Sequence, residues 1–173
     1  MLQIRRATLN DAAGIAQVKL RTWRSAYAGL IPQHVLDRMD HADELERWQR
    51  NLRRQQGVTF VAVSVGQVLG YGMAGPARGD YPPCDAELFA LYVLHTQQRQ
   101  GIGKKLVTAC ADYLLHQGHN ALLIWVLTQN APGRAFYEAL GGQAIYTQSF
   151  SLGGVSLQEA GYVWPDLHLL ASR

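Results

Sequence analysis

The stretch Glu87-Leu-Phe-Ala-Leu-Tyr-Val-Leu-His-Thr-Gln-Gln-Arg-Gln-Gly-Ile-Gly-Lys104 decides how this chain is read. An apolar, β-rich run from Glu87 to Leu94 gives way to a polar turn. Gly101-x-Gly103 then opens a segment, Gly101 to Gln117, with Ile102, Leu106, Cys110 and Leu114 at helical spacing. The first N–H groups of a helix have no intrahelical acceptor and sit at its positive end. Glycines at 101 and 103 let a ligand approach that backbone, and Arg99, Lys104 and Lys105 add positive charge nearby. Together these features describe a phosphate cradle. The same spacing also serves as a plain strand-to-helix turn. The dinucleotide fingerprint fails, because Leu106 stands where a third Gly is needed. The P-loop pattern fails as well, because Lys105 stands where Ser or Thr is needed.

Working outward, the chain alternates strand and helix signals. Leu2 to Ala7 reads as a short strand, and Asn10-Asp11 as the cap of a helix with Ala12, Ala16, Leu20, Trp23 and Tyr27 on one face. A second helical region covers roughly Gln33 to Arg54. Val58 to Val65 and Val68 to Ala74 read as a hairpin, and Gly75 to Pro83 as a Gly/Pro-rich loop. After the central helix comes the apolar run Ala121 to Leu127, expected of a strand buried on both faces. Pro132 to Leu140 is a short helix, and two strands flank Gly153-Gly154. The order β α α β β β α β α β β predicts an α/β fold with a mixed sheet rather than a doubly wound one.

A second motif follows the first at a distance. Gln98-x-x-Gly101-x-Gly103 is succeeded by Asn130-x-x-Gly133-x-x-Phe136-Tyr137-x-x-x-Gly141. Here the chain resembles the GNAT superfamily of acyl-CoA-dependent N-acetyltransferases. The resemblance is specific over residues 84–142 and looser over the whole chain. It implies the GNAT fold: a mixed, mostly antiparallel central sheet with splayed fourth and fifth strands, flanked by helices. It also implies acetyl-CoA as cosubstrate. Leu91, Tyr92 and Val93 would offer strand backbone to the pantetheine arm. Gln98, Arg99, Gln100, Gly101, Ile102, Gly103 and Lys104 would hold the pyrophosphate, and Asn130 and Phe136 would lie against the cofactor. Tyr137 would stand near the thioester sulfur. Gly133 and Gly142 depart from the family pattern, which has Ala and an aromatic at these places, and His95 stands where Pro is frequent.

Acetyl transfer needs a neutral amine, although a free alkyl ammonium has a pKa near ~10. A carboxylate can take that proton, and Glu87, 14 residues before Gly101 on the same predicted strand, is the family-matched candidate. Tyr137 is suited to protonate the leaving thiolate. The resemblance implies direct transfer through a ternary complex. Acceptor choice would lie with Trp23-x-x-x-Tyr27-x-Gly29-x-Ile31-Pro32, whose aromatics can wall a pocket and attract a cation. Tyr146, Glu159 and Tyr162 on the last hairpin are further acceptor-side candidates, and Asp80, Asp85 and Glu87 give that part of the chain an acidic bias. A small-molecule amine is the expected acceptor. A protein or peptide amine, or a non-catalytic acyl-CoA-binding module, is the alternative.

Composition sets the outer limits. The 173 residues suit one domain spanning 1–173. Sixteen Lys and Arg against thirteen Asp and Glu leave a net charge of +3, mild for a polyanion binder, so no nucleic-acid partner is expected. Residues 1–54 hold ten basic and six acidic side chains, many on the helix ending at Arg54. Cys84 and Cys110 form no disulfide framework and lack metal-ligand spacing, so no metal is expected. No run approaches the roughly 20 apolar residues of a membrane span, and cytoplasmic residence is the default expectation. The resemblance leaves room for a homodimer through the last strands.

Overall fold

The computed structural model describes residues 1–54 and 56–171. Its centre is a seven-stranded sheet: β1 Gln3–Arg6, β2 Val58–Ser64, β3 Gln67–Tyr81, β4 Cys84–Val93, β5 Leu122–Leu127, β6 Gln143–Leu152 and β7 Val155–Trp164. The spatial order is β1-β2-β3-β4-β5-β7-β6. Every neighbouring pair is antiparallel except β4 and β5, which run parallel. The helices are α1 Ala12–Ala26, α2 Gln33–Asp37, α3 His41–Arg54, α4 Ile102–His116 and α5 Ala131–Ala139.

The apolar periodicity decides which face each helix covers. Ile15, Ala16 and Val18 of α1 and Trp48 of α3 pack on Val61 and Tyr71 at one face. Val107, Cys110, Ala111 and Leu114 of α4 and Tyr137 of α5 pack on Leu88, Leu122, Ile124 and Tyr162 at the other. The predicted mixed α/β sheet is the one observed. Among the described residues, no helix is long and apolar enough to cross a membrane.

Two expectations are corrected. Gly75 to Pro83 is not a loop, because β3 continues to Tyr81, with Gly75 opposite Glu87, Pro76 opposite Ala86 and Tyr81 opposite Cys84. β2 stops pairing at Ala74, so β3 beyond it has only one neighbour. Pro76 therefore sits on an open edge, where a missing N–H costs no ladder bond. The helical region Gln33 to Arg54 is two helices. The Asp40 carboxylate accepts from the backbone N–H of Ala42 (2.7 Å) and Asp43 (3.3 Å), starting α3 afresh. Those same amides hold the Asp40 carboxyl below the usual carboxylate range.

Candidate active site

β4 and β5 pair only at Ala86–Leu122, Glu87–Leu123 and Leu88–Ile124. Their closed end is pinned by Asp85, whose carboxylate accepts from the backbone N–H of Asn120 (2.9 and 3.0 Å) and Ala121 (3.1 Å). Beyond Leu88 the strands part. β4 runs on beside β3 to Val93, and β5 runs on beside β7 to Leu127. A bulge accompanies the parting: Met73 faces Ala90 and Ala74 faces Leu88, leaving Phe89 unmatched. Leu88 and Leu91 thus both pack on the α4 side, while Ala90 and Tyr92 turn toward α1. Among the described residues, the edge of β4 at Leu91, Tyr92 and Val93 that faces β5 has no strand partner, and it borders the gap.

The gap leads to the start of α4. The Gln98 side-chain amide donates to the Val93 carbonyl (3.1 Å), folding the turn back on the strand. Arg99 and Gly101 have positive φ, 62° and 77°, which swings the chain into the helix. The first intrahelical bond runs from the Lys105 N–H to the Gly101 carbonyl (3.1 Å), so the amides of Ile102, Gly103 and Lys104 precede the ladder. Arg99, Gln100, Lys104 and Lys105 are exposed beside them. A Cβ on Gly103 would lie 3.2 Å from Cζ of Phe136, which brings α5 against this first turn. Such a cradle of free amides and cations fits a diphosphate.

α5 begins at Asn130, whose Oδ1 accepts from the Gly133 N–H (3.1 Å). A Cβ at Gly133 would lie 2.7 Å from Nδ2 of Asn130, so the Asn130 side chain lies close against the first turn of α5. Gly at 142 is explained by packing, since the Trp164 ring fills the space 2.5 Å from where its Cβ would be. Tyr137 is buried among the rings of Phe136 (5.3 Å), Tyr162 (6.0 Å) and Trp164 (6.2 Å). Burial pushes its phenol pKa far up, with the Tyr27 hydroxyl a second cause. Tyr137 packs on the α4 face of the sheet, whereas Tyr27 packs with Leu127 and Leu157 on the other.

On the α1 face, Glu87 is 2% exposed and ion-paired with Arg78 of β3. Its Oε2 accepts from the Arg78 Nε (3.1 Å) and backbone N–H (3.2 Å), and its Oε1 accepts from Nη2. The guanidinium also lies 4.6 Å from the centre of the Phe89 ring. Trp23 and Tyr27 meet edge to face at 5.1 Å and pack with Leu127, Leu157 and Phe150, so the α1–α2 connection closes down on the last hairpin. Burial raises the phenol pKa of Tyr27 and, more strongly, of Tyr92, whose hydroxyl interacts with that of Tyr27.

The profile of the acetyltransferase (GNAT) family matches residues 20–142. The chain belongs to the GNAT acetyltransferase family. It is 35% identical to the uncharacterized N-acetyltransferase YuaI of Bacillus subtilis, over 98% of this chain and 96% of that one. A probable N-acetyltransferase of Mycobacterium tuberculosis is 29% identical over 93% and 92% of the two chains. Among solved structures, the PaiA N-acetyltransferase of Thermoplasma acidophilum with coenzyme A superposes with a TM-score of 0.70 at 19% identity, covering 92% of this chain and 98% of that one. YncA of Salmonella typhimurium with acetyl-CoA gives 0.70 at 21% identity, covering 96% and 94%. This GNAT protein is therefore an acyltransferase with the fold those structures share.

Several acidic and aromatic candidates of this acetyltransferase have other work. Asp85 is spent on the closed end of the gap rather than facing an acceptor. The Tyr162 hydroxyl donates to Glu138 (2.6 Å) and accepts from the Arg134 Nε (3.2 Å) on the α5 side. The Tyr146 hydroxyl donates to the Pro82 carbonyl (2.5 Å). His95 is exposed in the turn after β4. Arg78 was not legible beforehand. It lies in the stretch read as loop, and only the strand pairing carries it to Glu87.

Proposed function

We propose that this acetyltransferase moves the acetyl group of acetyl-CoA directly to a primary amine of a small molecule, with both substrates bound together. The observation that carries this reading is the gap between β4 and β5 running into the free amides of Ile102, Gly103 and Lys104. The neighbours solved with coenzyme A and acetyl-CoA support the choice of cosubstrate. Acetyl-CoA supplies an activated thioester. The segment Gln98 to Lys104 holds its diphosphate, and the β4 edge at Leu91, Tyr92 and Val93 offers N–H and C=O groups to its pantetheine arm. Asn130 and Phe136 flank that arm. Tyr137, kept neutral by burial, donates its proton to the departing sulfur. Glu87 takes the proton of the attacking amine. Its pairing with Arg78 holds it in place, and Oε1, which accepts one bond from Nη2, takes that proton directly or through a water while the ion pair stays intact.

Trp23 and Tyr27 wall the acceptor. Their packing on Leu157 and Phe150 narrows that side of the gap, which favours a small amine over a protein segment. The long outer edge of β6, unpaired in the single chain, supports a homodimer. The deciding experiment is thiol release from acetyl-CoA over a panel of alkyl amines and peptide amino termini. Amines should drive release, with double-reciprocal lines that intersect. Faster release with peptides would overturn the acceptor class, and parallel lines would overturn the ternary complex.

A further inference from the structure

Glu159 of β7 has a placement that none of the roles above uses. Strand register puts it opposite Leu127 of β5 and Gln148 of β6. Residues two apart on a strand share a face. Glu159 therefore shares the face of Leu157, which packs with Trp23 and Tyr27. Across the sheet, Glu87 is paired in register with Leu123, and Leu123 with Val163, so Glu87 and Glu159 lie on the same face. The β3–β4 hairpin curls over this face, with Tyr81 against the rings of Trp125 (5.2 Å) and Tyr146 (5.3 Å). Glu159 thus lies between the hairpin that carries Arg78 and the α1–α2 connection that carries Tyr27. Its charge is felt by both side chains.

The carboxylate is held on one side only. The Gln148 side-chain amide donates to Oε1 (2.6 Å), and the Gln148 oxygen accepts from the Tyr81 hydroxyl (2.8 Å). Among the described residues, no hydrogen bond reaches Oε2. Arg78 is committed to Glu87 through Nε and Nη2, which leaves one anion in surplus on this face. The surplus lies on the face of Tyr27, whose ring can face a cation.

We propose that Glu159 is a specificity-determining residue, and that the acceptor is an amine bearing a second positive charge. One amine is acetylated at the gap while Glu159 binds the other, still protonated, through Oε2. Gln148 and Tyr81 hold the carboxylate in place, so little side-chain entropy is lost on binding. The proposal rests on the small-amine reading given above.

The test compares a terminal diaminobutane with butylamine, by thiol release from acetyl-CoA. The diamine should have a kcat/KM about tenfold above the monoamine, the scale of one charge-assisted contact. Glu159→Gln should bring that ratio toward one, and Glu159→Asp should keep part of it. Using a ratio cancels any general loss of folded protein. Salt gives an independent reading on the unmodified protein, because the diamine KM should climb relative to that of butylamine as ionic strength rises. Overturning results are a ratio near one in the unmodified protein, a ratio unmoved by Glu159→Gln, or a ratio indifferent to salt. If butylamine reacts without a diamine preference, this proposal falls alone. If neither amine reacts, it falls together with the small-amine reading.

Discussion

Val65 and Gly66 form the two-residue turn between β2 and β3, with φ of 48° and 75°. Two positive φ values in a hairpin turn favour Asn-Gly or Asp-Gly, and a β-branched residue is strained there. Val65 is 92% exposed and packs on nothing that would repay the strain. Val65→Asn should therefore raise stability by about 1 kcal/mol, seen as a melting temperature roughly 2–4 °C higher. An unchanged melting curve would mean that the turn adapts at no cost. Tyr137 is the residue-scale test of the chemistry. Tyr137→Phe removes the hydroxyl and keeps the ring packing on Phe136, Tyr162 and Trp164. Turnover should fall about 100-fold, the low end for a positioned acid, while the Kd for coenzyme A stays the same. Equal turnover would remove Tyr137 from the proton transfer.

At the scale of elements, the turn into α4 depends on Gly101, whose φ of 77° is unfavourable for any residue with a Cβ. Among the described residues, no atom beyond Gly101 and its two chain neighbours lies within 4 Å of where that Cβ would be, so the penalty of Gly101→Ala is conformational rather than steric. The substitution should cost about 1 kcal/mol of stability and tilt the first amides of α4. Calorimetry should then show weaker coenzyme A binding, and full affinity would mean that those amides do not carry the diphosphate. The turn was legible in the sequence because its signals are local: glycines, cations and a helical apolar spacing within one window. The stretch 75–83 was misread by the same local logic. Its Gly and Pro content signals a turn, yet whether a Pro is tolerated in a strand depends on a neighbour that the sequence does not display. Arg78, and with it the ion pair to Glu87, was hidden for that reason.

For the whole molecule, the buried phenols tie stability to pH. Burial raises the pKa of Tyr71, Tyr92 and Tyr137 well above the ordinary phenol value. In the unfolded chain they ionise near ~10, while the folded chain still holds their protons. The unfolded state then binds fewer protons, so stability falls as pH rises past ~10 and is insensitive to these groups below it. Urea melts across alkaline pH should show this fall, with a shallower slope in Tyr71→Phe. An equal slope would assign the fall to other groups. The outer edge of the sheet gives the second prediction at this scale. β6 is ten residues long and carries Ile145, 54% exposed, on a strand whose outer side has no partner among the described residues. Such an edge is a pairing surface. Light scattering should return twice the mass of one chain, and Ile145→Lys should return the single mass. A single mass for the unmodified protein would overturn the dimer.

The sequence by itself determined the order of the strands, the α/β class, the strand-to-helix turn from Gln98 to Lys104 and the family that the two motifs point to. Each of these is written in short windows, through periodicity and the backbone freedom of glycine. The resemblance to that family also singled out Tyr137, Glu87, Trp23 and Tyr27, whose residue types suit the chemistry. Only the tertiary structure decided what those side chains face. The bulge at Phe89 and the parting of β4 from β5 arise from pairings between strands far apart in the chain. The register of β7 against β5 and β6 sets which face Glu159 occupies, and a slip of one residue would reverse it. Asp85, equally acidic in the sequence, ends on the backbone of Asn120 and Ala121 instead. Charge and residue type are local properties, whereas availability is fixed by long-range packing.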